Sequence, residues 1–176
     1  MPVVFGNSRV LRPEQEARQT PTHDELVQFL TRRTPEEAHV AAQSSTYGFG
    51  QQVNLPYAEA VERTKEALKA EGFGVLCEID IQKTLKEKLG ADFGPYVILG
   101  ACNPPLAHQA LEAEIDLGLL LPCNVVVYTT DQGTLVKAMD PEPVLGLVGN
   151  PALAPIAREV KTRLQRVIAR VSGQSA

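Results

Sequence analysis

The chain has 176 residues, of which 44% are hydrophobic, 22% are charged and 5% are aromatic, and its net charge is −4. This length suits one domain with an appendage, and the composition is that of a globular protein with an aliphatic core. The acidic balance argues against general nucleic-acid binding, which needs an excess of Lys and Arg, so we expect no nucleic-acid partner. No run of about 18 apolar residues indicates a membrane span.

The N-terminus shows neither a basic segment nor a long apolar stretch, so no signal peptide is predicted. Three cysteines are an odd number and, without a secretion signal, do not indicate a disulfide framework. These features together predict a cytoplasmic, reducing location.

Residues 1–45 differ from the rest in being rich in Pro, Thr, Gln, Glu and Arg. Capping patterns predict one short helix over residues 24–32 and a second that starts at Thr34. Their apolar content is too small for a core. We therefore predict a largely mobile N-terminal arm over 1–45, a folded domain over 46–172 and a disordered tail over 173–176.

The sequence predicts five strands and several helices in the folded domain. Short apolar or alternating runs predict strands over 46–54, 73–79, 96–102, 123–130 and 134–139. Helical spacing and capping residues predict helices over 56–71, 81–89 and 155–171, and a short one after Asn103. The order β-α-β-β-β-β-α, with short helical insertions, predicts an α+β fold with an antiparallel sheet and helices on one side.

Single residues sharpen this assignment. Gly72 is predicted to end the first helix, while Asp80 caps the second and Gly90 ends it. Alternation in strand 73–79 predicts that Val75, Cys77 and Ile79 share one face, with Cys77 in the core. Residues 131–133 predict a three-residue hairpin loop with Gly133 in the left-handed conformation, and residues 140–154 a Pro- and Gly-rich link.

The last predicted helix carries five basic residues against the single acid Glu159. We interpret this stripe as a solvated helix face, which is common on surface helices. Its basic residues are Arg158, Lys161, Arg163, Arg166 and Arg170.

Two Cys-Asn dipeptides stand where predicted strands end or begin, Cys102-Asn103 and Cys123-Asn124. If Asn103 caps the helix that follows, Cys102 lies just before a helix N-terminus, where the dipole lowers a thiol pKa. The alternative interpretation is that Cys102 is a small buried hydrophobic residue. If the two junctions meet in space, Cys102 and Cys123 form a redox dithiol or, with His108, a metal site, although the spacing matches no standard zinc pattern. The candidate ligand-binding residues are Cys102, Asn103, His108, Cys123 and Asn124, and the candidate metal ligands are Cys102, His108 and Cys123.

The segments 101–108 (ACNPPLAH) and 119–125 (LLLPCNV) resemble the domain-of-unknown-function family 302. Residues 71–76 (EGFGVL) and 149–151 (GNP) fit it too, and the likeness spans roughly residues 47–171. The resemblance implies a fold like that of the TATA-binding protein, with a curved sheet and often a homodimer. It brings no activity and therefore no catalytic residues. The sequence itself requires no cofactor and leaves its identity open.

Three functions are compatible with these residues. The leading hypothesis is a non-enzymatic homodimer that binds a small ligand or anion near Cys102, Asn103 and Asn124. The second is a thiol-redox or metal-binding protein that uses Cys102 and Cys123. The third is an interaction or scaffold module that acts through the N-terminal arm.

Overall fold

The structure is a computed structural model that describes residues 45–173. The arm with its two predicted helices, apart from Ser45, and the tail beyond Gly173 lie outside the described residues. The strands are Gly48–Val53 (β1), Gly74–Asp80 (β2), Tyr96–Cys102 (β3), Cys123–Thr130 (β4) and Gly133–Met139 (β5). The α-helices are Tyr57–Ala70 (α1), Ile81–Leu89 (α2), Pro104–Ala113 (α3), Pro141–Gly146 (α4) and Leu153–Val171 (α5), and Ile115–Leu120 is a 3₁₀ helix.

The five strands form one sheet in the order β1-β5-β4-β3-β2, and every neighbouring pair is antiparallel. The helices α1 and α5 pack against one face of this sheet. The predicted α+β fold, with an antiparallel sheet and helices on one side, is confirmed. No helix within residues 45–173 is both long and apolar enough to cross a membrane, and the cytoplasmic location stays a prediction.

The core lies between the sheet and the two long helices. Val125 and Val127 of β4 are fully buried there, and they pack with Leu99 of β3, Leu68 of α1 and Leu164 of α5. Because side chains alternate along a strand, the residues between them point to the opposite face, which we call the far face. Each buried aliphatic side chain stabilises the fold by about 1.5–3 kcal/mol relative to exposure.

Local capping follows the sequence closely. The Asp80 side chain accepts a hydrogen bond from the Lys83 amide at 2.9 Å, and Gly90 ends α2 with a φ of 67°. Gly72, which follows α1, has a φ of 80°. These predictions are confirmed, because caps depend on residues only a few positions apart.

The prediction for β2 is wrong in one respect. A β-bulge between Val75 and Cys77 shifts the register, so Val75 packs against the core while Cys77 and Ile79 are exposed. Cys77 is therefore not a core residue. The bulge lies on one of the two outer strands of the sheet, where one extra residue disturbs the ladder least, and it reverses the alternation of side chains.

Three other differences are smaller. The hairpin between β4 and β5 has two loop residues, and Gly133 opens β5 with the expected positive φ of 125°. The link after β5 contains α4, whose first turn is capped by Asp140 through the Glu142 amide at 3.1 Å. The helix α5 starts at Leu153 rather than at residue 155, and the 3₁₀ helix was not predicted.

The basic face of α5 is partly exposed to solvent, and it is also joined to other elements. Arg166 donates to Glu71 at 2.8 Å and Arg170 does so at 3.1 Å, while Lys161 lies 2.8 Å from Asp140. The Glu71 carboxylate is only 8% exposed, and the hydrogen bond from Arg166, with the charge of Arg170, holds its pKa below the ordinary value. The acidic partners are far away in the sequence, so helix periodicity alone does not reveal them.

Candidate functional site

The two Cys-Asn dipeptides lie at the same end of two neighbouring strands. Cys102 ends β3 and Cys123 begins β4, with Ala101 opposite Cys123 and Gly100 opposite Asn124. Alternation then separates the second dipeptide, since Cys123 points into the core and Asn124 is exposed on the far face. The candidate residues therefore divide between two faces of the sheet.

Asn103 is the N-cap of α3, as predicted. Its Oδ1 accepts from the Leu106 amide and its Nδ2 donates to the Glu71 carbonyl, both at 3.4 Å. Asn103 is 6% exposed, and both polar atoms of its side chain form hydrogen bonds within the fold. Asn103 thus joins the start of α3 to the end of α1.

Cys102 and Cys123 line one small cavity of about 30 Å³ among apolar side chains. Burial raises the pKa of the Cys102 thiol, and burial together with the nearby Cys102 raises that of Cys123 to about 11. The expected lowering at the helix N-terminus is not found, because apolar surroundings disfavour a thiolate. Both thiols are free and protonated at neutral pH.

His108 lies apart from these cysteines. It is exposed on α3, its Nδ1 is 3.4 Å from the Glu112 carboxylate, and it does not line the small cavity. Within residues 45–173 no group of three or more His, Cys, Asp or Glu could hold a metal ion.

Asn124 belongs to a different and much larger concavity, which we call the far-face pocket. Its volume is about 550 Å³, and the chain that precedes β1 contributes Ser45 and Tyr47 to its wall. Strands β3, β4 and β5 contribute most of the other residues that line the pocket, among them Tyr96, Asn124, Val126, Tyr128, Lys137 and Met139.

Two tyrosines form the aromatic part of this pocket. Tyr96 and Tyr128 are cross-strand partners, and their rings stack with centroids 5.2 Å apart and planes 16° from parallel. Burial raises the pKa of both phenols, so they remain neutral donors at physiological pH. The pair presents flat apolar surface with hydroxyl groups attached.

Lys137 lines the pocket from β5, opposite Val126 of β4 and Gly50 of β1. It is the only charged residue among the described residues of the pocket wall. Partial burial lowers its pKa. A Cβ at Gly50 would lie 2.6 Å from the Lys137 Cγ, so any side chain at this position would clash with the aliphatic part of Lys137.

Sequence reasoning found Asn124 but missed Lys137 and the tyrosines. One hint was present, since Lys137 is the single charged residue in a strand whose other residues are mostly apolar. No pattern along the chain, however, indicated that Tyr96 and Tyr128 lie opposite each other.

The fold and pocket define an α+β domain in which one antiparallel sheet carries helices on one face and a candidate binding surface on the other. Residues 49–171 match the family model described as domain of unknown function DUF302, and the chain belongs to this family. The match confirms the family to which the Cys-Asn segments pointed.

One solved structure that the chain resembles is the crystal structure of an uncharacterized conserved DUF302 protein from Bacillus stearothermophilus. The two are 36% identical with a TM-score of 0.68, and the likeness covers 72% of this chain and 99% of the other. A search of curated proteins finds no match. The fold like that of the TATA-binding protein, which the resemblance implied, stays a prediction.

Proposed function

We propose that this domain is a non-enzymatic binding protein that takes a small ligand in the far-face pocket, with Asn124 and Lys137 as polar contacts. The observation that carries the proposal is the pocket itself. Its volume of about 550 Å³ lies within the roughly 300–1,000 Å³ of small-molecule sites. Its wall combines apolar and aromatic surface with a few polar groups, which is the usual composition of such sites.

Cys102, Asn103 and Cys123 then support the fold rather than touch the ligand. The Asn103 side chain already forms two hydrogen bonds within the protein. The raised pKa values of the two thiols favour binding over thiol chemistry as the function. Of the five ligand-binding candidates predicted from the sequence, the proposed site therefore contains only Asn124.

The experiment is a thermal-shift screen of the full chain against small organic acids, neutral aromatics, amines, nucleotides and metal salts, followed by calorimetry on any hit. Val126→Trp is designed to fill the pocket and is expected to abolish binding. Asn103→Ala, on the helix-covered side, is the control, which is expected to lower stability by about 1 kcal/mol without changing affinity. Unchanged affinity in Val126→Trp, or no hit in any class, would refute the proposal.

We also propose that the domain is a homodimer, as its family resemblance implies. Strand β2 is one of the two outer strands of the sheet, and its residues Leu76 and Ile79 are 68% and 43% exposed. An exposed apolar edge strand is prone to pair with another chain. Light scattering after gel filtration would report twice the chain mass of 19.1 kDa, and Leu76→Lys is expected to shift it toward the monomer. A wild-type monomer at all concentrations would contradict dimerisation.

A further inference from the structure

Three strongly exposed apolar residues lie on two neighbouring segments of the domain. Within residues 45–173, the three most exposed large hydrophobic residues are Ile115, Leu119 and Leu147, at 76%, 87% and 80%. Ile115 and Leu119 belong to the 3₁₀ helix, and Leu147 directly follows α4. A single exposed leucine is common on a protein surface, whereas a group of them marks an interaction site.

Two contacts hold these segments beside each other. Leu117 of the 3₁₀ helix and Leu145 of α4 are buried in the same small hydrophobic cluster. The Asn150 side chain donates to the Ala113 carbonyl at 3.0 Å, which ties the turn after α4 to the chain that enters the 3₁₀ helix. The exposed residues of the two segments therefore form one region of the surface. We call this region the end patch, and it consists of Ile115, Leu119 and Leu147.

A cavity adjoins the turn that carries Leu147. It has a volume of about 330 Å³ and apolar walls from Leu145 and Leu153. One acid, Glu142, and one base, Arg158, also line it, so its charged residues balance. An apolar side chain of a partner can enter this cavity, and residues that fill a pocket usually dominate the binding energy of an interface.

The charges beside the end patch are negative. Residues 112–120 include three acids and no basic residue. The Glu112 carboxylate lies 3.4 Å from the His108 Nδ1, whereas the side chains of Glu114 and Asp116 form no hydrogen bond or ion pair within residues 45–173. Complementary charge selects a partner and speeds its association, so the end patch suits a basic partner.

The same acids disfavour two other occupants. A second copy that paired through its own end patch would bring Glu114 and Asp116 against the same residues of its partner, where like charges repel. An anionic membrane surface would be repelled for the same reason.

We propose that the end patch binds a basic amphipathic helix of a partner protein. The apolar stripe of that helix packs on Ile115, Leu119 and Leu147, and its Lys or Arg side chains pair with Glu114 and Asp116. The end patch and its cavity share no residue with the far-face pocket, so this proposal is independent of small-ligand binding.

The probe is a synthetic peptide of about 18 Leu and Lys residues whose leucines form one helical face, and its binding to the full chain is followed by fluorescence anisotropy. One matched peptide carries Glu in place of every Lys, and another has the same composition without a helical face. The basic amphipathic peptide is expected to bind at least tenfold more tightly than either. Equal binding of the three peptides, or no binding of the basic one, would overturn the proposal.

Substitutions of exposed leucines locate the binding site. Leu119→Gln and Leu147→Gln keep side chains of similar size at exposed positions, so both variants should fold, and each should weaken binding of the basic peptide about fivefold or more. Leu89→Gln is the matched control, because Leu89 is 73% exposed on α2, and it should change nothing. If Leu89→Gln weakens binding as much as Leu119→Gln does, the proposed site is wrong.

The contribution of charge is tested separately. The double variant Glu114→Gln/Asp116→Asn should weaken binding about threefold or more at about 0.05 M salt, and less at about 0.5 M salt. Glu66→Gln/Asp131→Asn removes two negative charges from other exposed positions and should leave the affinity within about twofold. Equal losses in the two double variants would show that overall charge, not the end patch, attracts the peptide.

Two measurements without the peptide test the other occupants. Light scattering gives the mass of the chain alone, and sedimentation with phosphatidylcholine vesicles reports membrane binding. A dimer or a vesicle complex of the wild type that Leu119→Gln abolishes would assign the end patch to that occupant and overturn the proposal.

Discussion

The buried carboxylate of Glu71 fastens the end of α1 to the C-terminal half of α5. Arg166 and Arg170 each donate a hydrogen bond to it, at 2.8 and 3.1 Å. Glu71→Gln keeps the shape of the side chain but removes its charge and one of its two acceptor oxygens. We expect the variant to fold and to be less stable than the wild type.

The magnitude follows from the exposure of the three groups. Hydrogen bonds to charged groups contribute about 1.5–3 kcal/mol each, but exposed ion pairs contribute only about 0–1 kcal/mol. The arginine side chains are 40% and 56% exposed, while the Glu71 side chain is 8% exposed. The free-energy contribution of each pair should therefore lie between these limits. We expect a loss of about 2 kcal/mol in the free energy of unfolding, which lowers the Tm by about 6 °C in a chain of this size.

The loss should depend on pH in a defined direction. The pKa of Glu71 is lowered in the folded state, so its stabilisation is fully present above the unfolded value of about 4.3 and disappears as pH falls through the lower folded value. Thermal unfolding of both proteins from pH 8 to pH 3 should show a constant gap down to about pH 5, which then shrinks. Glu159→Gln, which breaks the partly exposed pair with Arg163, is the control and should cost under about 0.5 kcal/mol. A Glu71→Gln gap that is absent at pH 7, or equally large at pH 3, would refute the reasoning.

Two further predictions concern other parts of the domain. Gly50→Ala should lower stability by about 1–3 kcal/mol in a denaturant titration, because its Cβ would lie 2.5 Å from a backbone atom of β5. Gly146→Ala, whose Cβ meets no atom within 4 Å, is the control, and an equal effect of the two would contradict the clash. Brief alkylation of the native protein, read by peptide mass spectrometry, should label the exposed Cys77 first, Cys102 more slowly and Cys123 only after unfolding. If Cys123 in the native protein were labelled as fast as Cys77, the prediction that Cys123 is buried would be wrong.

Features of the fold that depend on near neighbours in the chain were predictable. Asp80 and Asn103 were identified as caps, and Gly72, Gly90 and Gly133 as positions of positive φ. A cap or a left-handed glycine is decided within one turn of backbone, so its cause is visible in a few consecutive residues.

Features that depend on distant residues were not predictable. The bulge in β2 reverses the faces of Cys77 and Ile79, and it shows only in the pairing with β3. The acidic partner of Arg166 lies 95 residues earlier in the chain. The short helix α4 follows a capping Asp140 that sequence reasoning passed over among prolines and glycines.

The sequence by itself determined all five strands, four of the five α-helices, the family and the role of Asn103 as the residue that starts a helix. Only the tertiary structure decided that Asn124 lies in the same pocket as Lys137 and Tyr96, on the face of the sheet opposite to Cys123. The reason is physical. Periodicity and capping arise from bonds along the chain, whereas the far-face pocket arises from the lateral order of strands β3, β4 and β5, which long-range pairing sets.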